Sequence, residues 1–241
     1  MSLLTPVIIY LAALAVGFVL LWLVLPHLWK KREIARLRQT CRENRAVVLT
    51  FDDGPSDHMT QALIGLLEDL NAKASFFILG RNIAGRQDLV KDLAARGHDV
   101  GSHSYDHLHA WKAAPTAVAA DIARGCDALE FVTPNARLFR PPFGKSNLWS
   151  VLAAARRGLR TAYWTLDTKD TRAPGTAPEI LRELGRAGGG VVLMHDLEKR
   201  NIGGGQVAHS DYVLETTRQI VEFARKNDMR IMRFSDLPEK G

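Results

Sequence analysis

Two patterns of hydrophobic and polar residues divide this chain. Residues 6–25 form one charge-free apolar run, long enough at about 1.5 Å per residue to cross the hydrocarbon of a bilayer as a helix. From Ala46 onward, short β-branched or apolar runs alternate with segments whose apolar residues recur at helical spacing. The runs predict strands over 46–51, 74–79, 98–102, 138–140, 161–165, 191–194 and 229–233. The helical segments lie near 58–70, 85–96, 115–131, 147–157, 177–187 and 210–226. This alternation predicts an α/β domain with a parallel sheet and crossover helices.

The chemistry-bearing residues help to choose between an open and a closed sheet. Asp52 and Asp53, His103, Arg140, the stretch 167–170 and His195 each follow the end of a different predicted strand. An open doubly wound sheet concentrates its site at one switch point, whereas a (β/α) barrel gathers residues from many strand ends. A barrel of fewer than eight strands is the expectation. The organisation reads as an anchor over 1–29, a basic juxtamembrane helix or linker over 30–45, and a catalytic domain over 46–241. Gly203-Gly204-Gly205 reads as a flexible loop beside the site.

The apolar N-terminus does not look like a cleaved secretory signal. No Lys or Arg precedes the run, and Pro26-His27-Leu28-Trp29 follows it in place of a small-residue cleavage site. Trp22 and Trp29 suit interfacial anchoring, so the expectation is an uncleaved transmembrane helix. Positive charge follows the helix, at Lys30, Lys31, Arg32, Arg36, Arg38, Arg42 and Arg45. By the positive-inside bias, this is a single-pass protein of the inner membrane with its catalytic domain in the cytoplasm. A periplasmic or extracellular domain is the alternative.

The net charge of +6 does not make a nucleic-acid binder, because the basic residues are not interleaved with aromatics in a recognisable module. A bilayer carrying anionic lipid is the more economical partner. Hydrophobic content of 46% and charged content of 24% are those of an ordinary globular chain. Cys41 and Cys126 form no metal pattern and read as free thiols.

Five motifs carry the chemistry, in this order: Thr50-Phe51-Asp52-Asp53-Gly54-Pro55, His103-Ser104-Tyr105-Asp106-His107, Arg140-Pro141-Pro142-Phe143-Gly144, Trp164-Thr165-Leu166-Asp167-Thr168-Lys169-Asp170 and Leu193-Met194-His195-Asp196. His103 and His107 can reach one metal from a helix turn or from a compact loop, and two histidines alone are a weak signal. With a carboxylate from Asp53 they make a face with open positions, an arrangement more often catalytic than structural. Asp52 is then free to act as a base toward a water, with Arg140 placed to hold it by a charge-assisted contact. His195 suits the acid that protonates a leaving amine, held cationic by Asp170, with Asp167 in reserve. Asp196 is expected to point away from His195. Leu193, Trp164 and Tyr105 can line a small apolar pocket for an acyl methyl group, although core packing explains any one of them as well.

Taken together, the motifs resemble those of the polysaccharide deacetylases, carbohydrate esterase family four or the NodB homology domain, over roughly 46–237. The resemblance implies a distorted (β/α) barrel of about seven strand–helix units, here preceded by one transmembrane helix. It implies Asp52 as catalytic base and Asp53, His103 and His107 as metal ligands. It also implies Arg140 as the residue orienting the base and His195 as the acid tuned by Asp170. Leu193 would line the acyl pocket, and the Phe143 backbone N–H would be the oxyanion donor. The implied cofactor is Zn²⁺, or another divalent ion such as Co²⁺. The chain departs from the family at Thr171, where members often carry a tryptophan that walls a substrate groove. That departure counts against a long polymer-binding groove.

The expected activity is therefore metal-dependent removal of an N-acetyl or similar N-acyl group from an amino sugar. The anchor favours a membrane-associated, lipid-linked sugar or glycolipid as substrate. A cell-envelope polymer such as peptidoglycan or an exopolysaccharide is the alternative. A catalytically silent sugar-binding protein is the alternative of another class, disfavoured because the base and every metal ligand are retained.

Overall fold

The computed structural model describes residues 4–132, 137–172, 175–198 and 208–238, so the triglycine segment lies outside the described residues. Eight strands among them, all parallel, form one curled sheet. They are β1 (Ala46–Asp52), β2 (Ser75–Ile78), β3 (Asp99–Ser102), β4 (Leu138–Phe139), β5 (Arg160–Thr161), β6 (Leu166–Asp167), β7 (Gly190–His195) and β8 (Arg230–Met232). Their order is β5-β4-β3-β2-β1-β7-β6, and β8 pairs with the first half of β1. The helices are α1 (Leu4–Val19), α2 (Leu25–Asn44), α3 (Asp57–Asp69), α4 (Gln87–Ala95), α5 (Pro115–Asp127), α6 (Leu148–Arg156), α7 (Ala177–Ala187) and α8 (His209–Lys226). A π-helical turn, Leu20–Val24, joins α1 to α2 without a break. This is the expected distorted parallel barrel, built as a curled half-barrel whose continuous path has seven strands; β8, paired off that path on β1, brings the count to eight where fewer than eight were expected.

One predicted strand differs. The run over 161–165 is split, with β5 ending at Thr161 and β6 beginning at Leu166 on opposite edges of the sheet. The backbone N–H of Ala162 still donates to Phe139 O (2.8 Å), while that of Thr165 donates to Val191 O (2.9 Å). The connecting residues thus carry the chain across the seam where the curled sheet comes round on itself. Continuous apolar character cannot distinguish one buried strand from a crossing between two.

The strand period of two sorts β1 into faces. Val47, Leu49 and Phe51 join a core of α3, α4, α7 and α8 side chains on the outer face. Ala46 and Val48 point inward with Val191, Phe77, Leu138 and Tyr163. Parallel register carries the inward parity from strand to strand: Thr50 lies beside Leu193, and Asp52 beside both His195 and Phe77. The inner face is covered by α2, whose Leu37 and Cys41 are buried among Ala46, Val48 and Val191. Chain direction fixes how α2 runs. Arg42 Nε donates to Ala187 O, near the start of β7, whereas Lys30 Nζ donates to Gly144 O, beyond the end of β4. Helix α2 therefore runs antiparallel to the strands, and Arg45, at φ 47°, turns the chain into β1.

Candidate active site

The inward residues at the C-terminal ends of the strands converge on one cluster. Arg140 follows β4 and is fully buried, with its guanidinium carbon 4.1 Å from the Phe77 ring centroid. Its Nη1 donates to Asp52 Oδ1 (2.7 Å) and Thr50 Oγ1 (2.8 Å), and its Nε donates to Ala162 O (3.1 Å). Burial pushes the Asp52 carboxyl above the usual carboxylate range, opposed chiefly by the Arg140 charge. A carboxylate raised in this way is a stronger base than one in water.

Asp53 diverges from Asp52, as the Gly-Pro turn predicts, with a left-handed backbone at φ 73°. Its Oδ1 is buried and has no hydrogen-bond partner among the described residues. It lies 3.5 Å from both His103 Nε2 and His107 Nε2. Two ligand atoms bound at about 2.1 Å with a tetrahedral angle sit roughly 3.4 Å apart, so the spacing fits a shared divalent ion. Of the two placements open for the histidine pair, the compact loop is the one adopted, with left-handed Ser104 (φ 68°) and His107 (φ 62°). Buried Asp121 of α5 holds that loop by accepting from the N–H groups of Asp106 (2.6 Å) and Leu108 (3.2 Å). His103 Nδ1 lies 2.8 Å from Arg140 O; donation there leaves the Nε2 lone pair facing Asp53. Burial pushes His103 down to about 3, and it lowers His107 as well, so both imidazoles are neutral as metal ligands require. Orphaned oxygen, neutral imidazoles and spacing all suit a metal.

Opposite this cluster, His195 Nδ1 donates to Asp170 Oδ1 (2.9 Å), and the His195 backbone N–H donates to Asp170 Oδ2 (2.9 Å). Burial alone would lower His195, but the Asp170 hydrogen bond and charge overcome it and hold the imidazole up at about 9. Asp170 is held well below the carboxylate range by these bonds, against burial that raises it. The reserve, Asp167, turns instead to Arg172 (2.5 Å). Asp196 points away from His195, accepting from Ser56 Oγ (2.8 Å) and Thr60 Oγ1 (2.5 Å) beneath the Asp-Asp-Gly-Pro turn. Any Cβ at Gly54 would strike this carboxylate, so Gly54 and Asp196 fit one another.

The sequence reading passed over two contributors. His209, fully buried at the start of α8, donates from Nε2 to Asp170 Oδ2 (3.0 Å). Asp121 is the other, and neither lies in a motif. Of the proposed pocket residues, Leu193 is buried on the inner face beside Thr50, and Trp164 stands between Lys30 and Arg140. Exposed Phe143, at φ 57°, lies with its ring centroid 4.4 Å from that of His107. Tyr105 packs under Arg124 and against Gly80.

The family model for polysaccharide deacetylases matches residues 39–162. The chain belongs to the polysaccharide deacetylase family. It is 35% identical over 160 residues to the peptidoglycan-N-acetylglucosamine deacetylase PgdA of Listeria monocytogenes, covering 66% of this chain and 34% of that protein. It thus spans about a third of that relative's length. It is 32% identical over 158 residues to the chitooligosaccharide deacetylase of a Bradyrhizobium species, covering 63% of this chain and 71% of that one. Among solved structures, the Bc1960 peptidoglycan N-acetylglucosamine deacetylase superposes with a TM-score of 0.70 at 24% identity, over 83% of this chain and 91% of that one. At that identity the likeness is one of fold. As a polysaccharide deacetylase family member, the chain shares the family's curled parallel half-barrel.

Proposed function

We propose that this protein is a metal-dependent hydrolase that removes an N-acetyl or similar N-acyl group from an amino sugar. The observation that carries the reading is the pair of facing clusters: Asp53, His103 and His107 on one side, and the His195–Asp170 pair on the other, with Arg140-bound Asp52 between them. Asp53, His103 and His107 would hold a divalent ion, Zn²⁺ or Co²⁺, which when bound would supply a Lewis acid for the amide carbonyl and for a water. Asp52 takes the proton of the attacking water while Arg140 holds its carboxylate in line. The Phe143 N–H donates to the oxygen that becomes negative in the tetrahedral transition state. His195 then delivers its Nε2 proton to the departing amine, with Nδ1 anchored on Asp170, and Leu193 and Trp164 shape the acyl pocket.

Among the described residues, the continuous helix to Asn44 is apolar enough near its start to span a membrane. This supports a membrane-held substrate, a lipid-linked N-acetyl sugar or glycolipid. The relatives' activities, on peptidoglycan and on chitooligosaccharides, favour a second reading, a cell-envelope polymer. The charge bias after the helix supports an inner-membrane protein with a cytoplasmic domain. The division at 1–29, 30–45 and 46–241 stands as a working one, with the middle segment's Leu37 and Cys41 buried in the domain's own core.

Acetate release should be measured with the full chain in detergent, with zinc and after chelation, on N-acetylglucosamine oligomers and on a lipid-linked N-acetyl sugar. Zinc-dependent release is expected, fastest from the lipid-linked sugar. Release that survives complete removal of metal would overturn the mechanism, and faster release from oligomers would favour the polymer.

The His195 role has its own signature in pH. The active form is protonated, so turnover should persist up to about 9 and fall as pH rises through that value. In Asp170→Asn the holding charge is gone, and the alkaline fall should move down toward 6.5, the imidazole's ordinary value. A pH–rate profile of kcat checks this. An unmoved alkaline limb in the variant would remove Asp170 from the scheme.

A further inference from the structure

The anchor helix and the catalytic cluster leave the domain on the same side. Helix α2 runs from Lys30, level with the loop beyond β4, down to Arg42 at the start of β7, a length of about 18 Å. The described residues before Lys30, 4–29, therefore project past the C-terminal ends of the strands, where Asp52, His103 and His195 stand. The apolar run ends at Leu25, five residues before Lys30. That places the mouth about 8 Å beyond the hydrocarbon boundary, close to the thickness of roughly 5–8 Å that headgroups add to each leaflet.

The surface on this side suits that position. Helix α6 begins at the mouth and packs beside the Leu20–Val24 turn of the anchor. Its Trp149 and Leu152, three residues apart on one face, are exposed, as is Phe143 at the mouth itself. Trp111 is exposed as well, donating from Nε1 to Ser146 O (2.9 Å) with Lys145 Nζ 4.4 Å from its ring centroid. Amphipathic indoles beside a lysine are the residues that settle at headgroup level. This apolar rim continues the anchor's own surface, so the partner it fits is the bilayer.

We propose that the catalytic face lies against the membrane, with Phe143, Trp149 and Leu152 seated among the headgroups, so that substrate enters from the membrane plane. The proposal rests on the reading of α1 as a membrane anchor and deepens the lipid-linked substrate reading. Lys30, bonded to Gly144 O beside Phe143, ties the anchor helix to the loop that carries the oxyanion donor.

Spin labels test the placement. Leu152→Cys and, at the far end of the domain, Lys226→Cys are made in a Cys126→Ser chain, since Cys41 is buried and its thiol is pushed up to about 12. In phosphatidylethanolamine–phosphatidylglycerol nanodiscs, the label at 152 should relax faster with oxygen than with a nickel chelate, and the label at 226 the reverse. Nickel-dominated relaxation at 152 overturns the proposal. A second arm uses the Trp149→Glu, Leu152→Glu double variant. Its turnover of a lipid-linked N-acetyl sugar in nanodiscs should fall about 10-fold or more, roughly 1.4 kcal/mol, while turnover of soluble N-acetylglucosamine oligomers stays unchanged. Equal losses on both substrates count against it. Should the unaltered chain deacetylate neither sugar, the enzymatic reading fails, and the labels still decide which face meets the bilayer.

Discussion

Asp52→Asn should lower turnover by about 10²–10⁴-fold, the range expected when a general base is lost, while bound metal stays at the level of the unaltered protein. Asparagine keeps an oxygen that can accept from Arg140 Nη1, so the local geometry survives. It cannot take a proton from water near neutral pH, so the chemical step is what suffers. The change also leaves the Arg140 cation buried without its counter-charge, next to an Nη2 that already has no partner among the described residues. Breaking a buried pair costs roughly 3–5 kcal/mol, so the variant's Tm should fall and folding must be checked alongside kcat. A folded, metal-loaded variant with turnover within a few-fold of the parent would show that Asp52 is not the base.

His103→Ala should lose metal and turnover together. The residue supplies one of three donor atoms, and its Nδ1 is tied to the Arg140 carbonyl, so nothing nearby can replace it. Loss of an outer partner of a metal ligand already costs 10–100-fold in affinity, and loss of the ligand itself should exceed about 100-fold. Titration calorimetry with zinc and metal analysis of the purified protein measure this directly. The two variants separate the roles: one binds and does not turn over, the other does neither. Zinc bound by His103→Ala as tightly as by the parent would dissolve the proposed ligand set.

Much of the site is legible in the sequence, because strand-end chemistry is local. The inward parity of Asp52 and the turn at Gly54 follow from a two-residue period and from one tight loop. The segment 30–45 was harder to read. Its basic residues dominate the composition, yet Ile34, Leu37 and Cys41 make a helical stripe that packs onto the inner face of the sheet. A stripe that sparse is outweighed by charge when only the sequence is available. His209 and Asp121 lay beyond reach for a different reason. Each acts on a partner 39 or 15 residues away through a contact that only the tertiary fold creates. The split of the predicted strand over 161–165 belongs to the same class, since a seam is a property of the closed sheet.

With α1 read as the proposed membrane anchor, the unbroken helix from it into the core would make the attachment a mast and not a tether. A flexible stalk would let the catalytic head sweep a hemisphere; Leu37 and Cys41, locked in the inner core, forbid that swivel. The head would be confined to one depth and diffuse laterally with its mouth at a constant height. On that reading its working volume would be a thin sheet parallel to the bilayer, which suits a substrate held in the membrane.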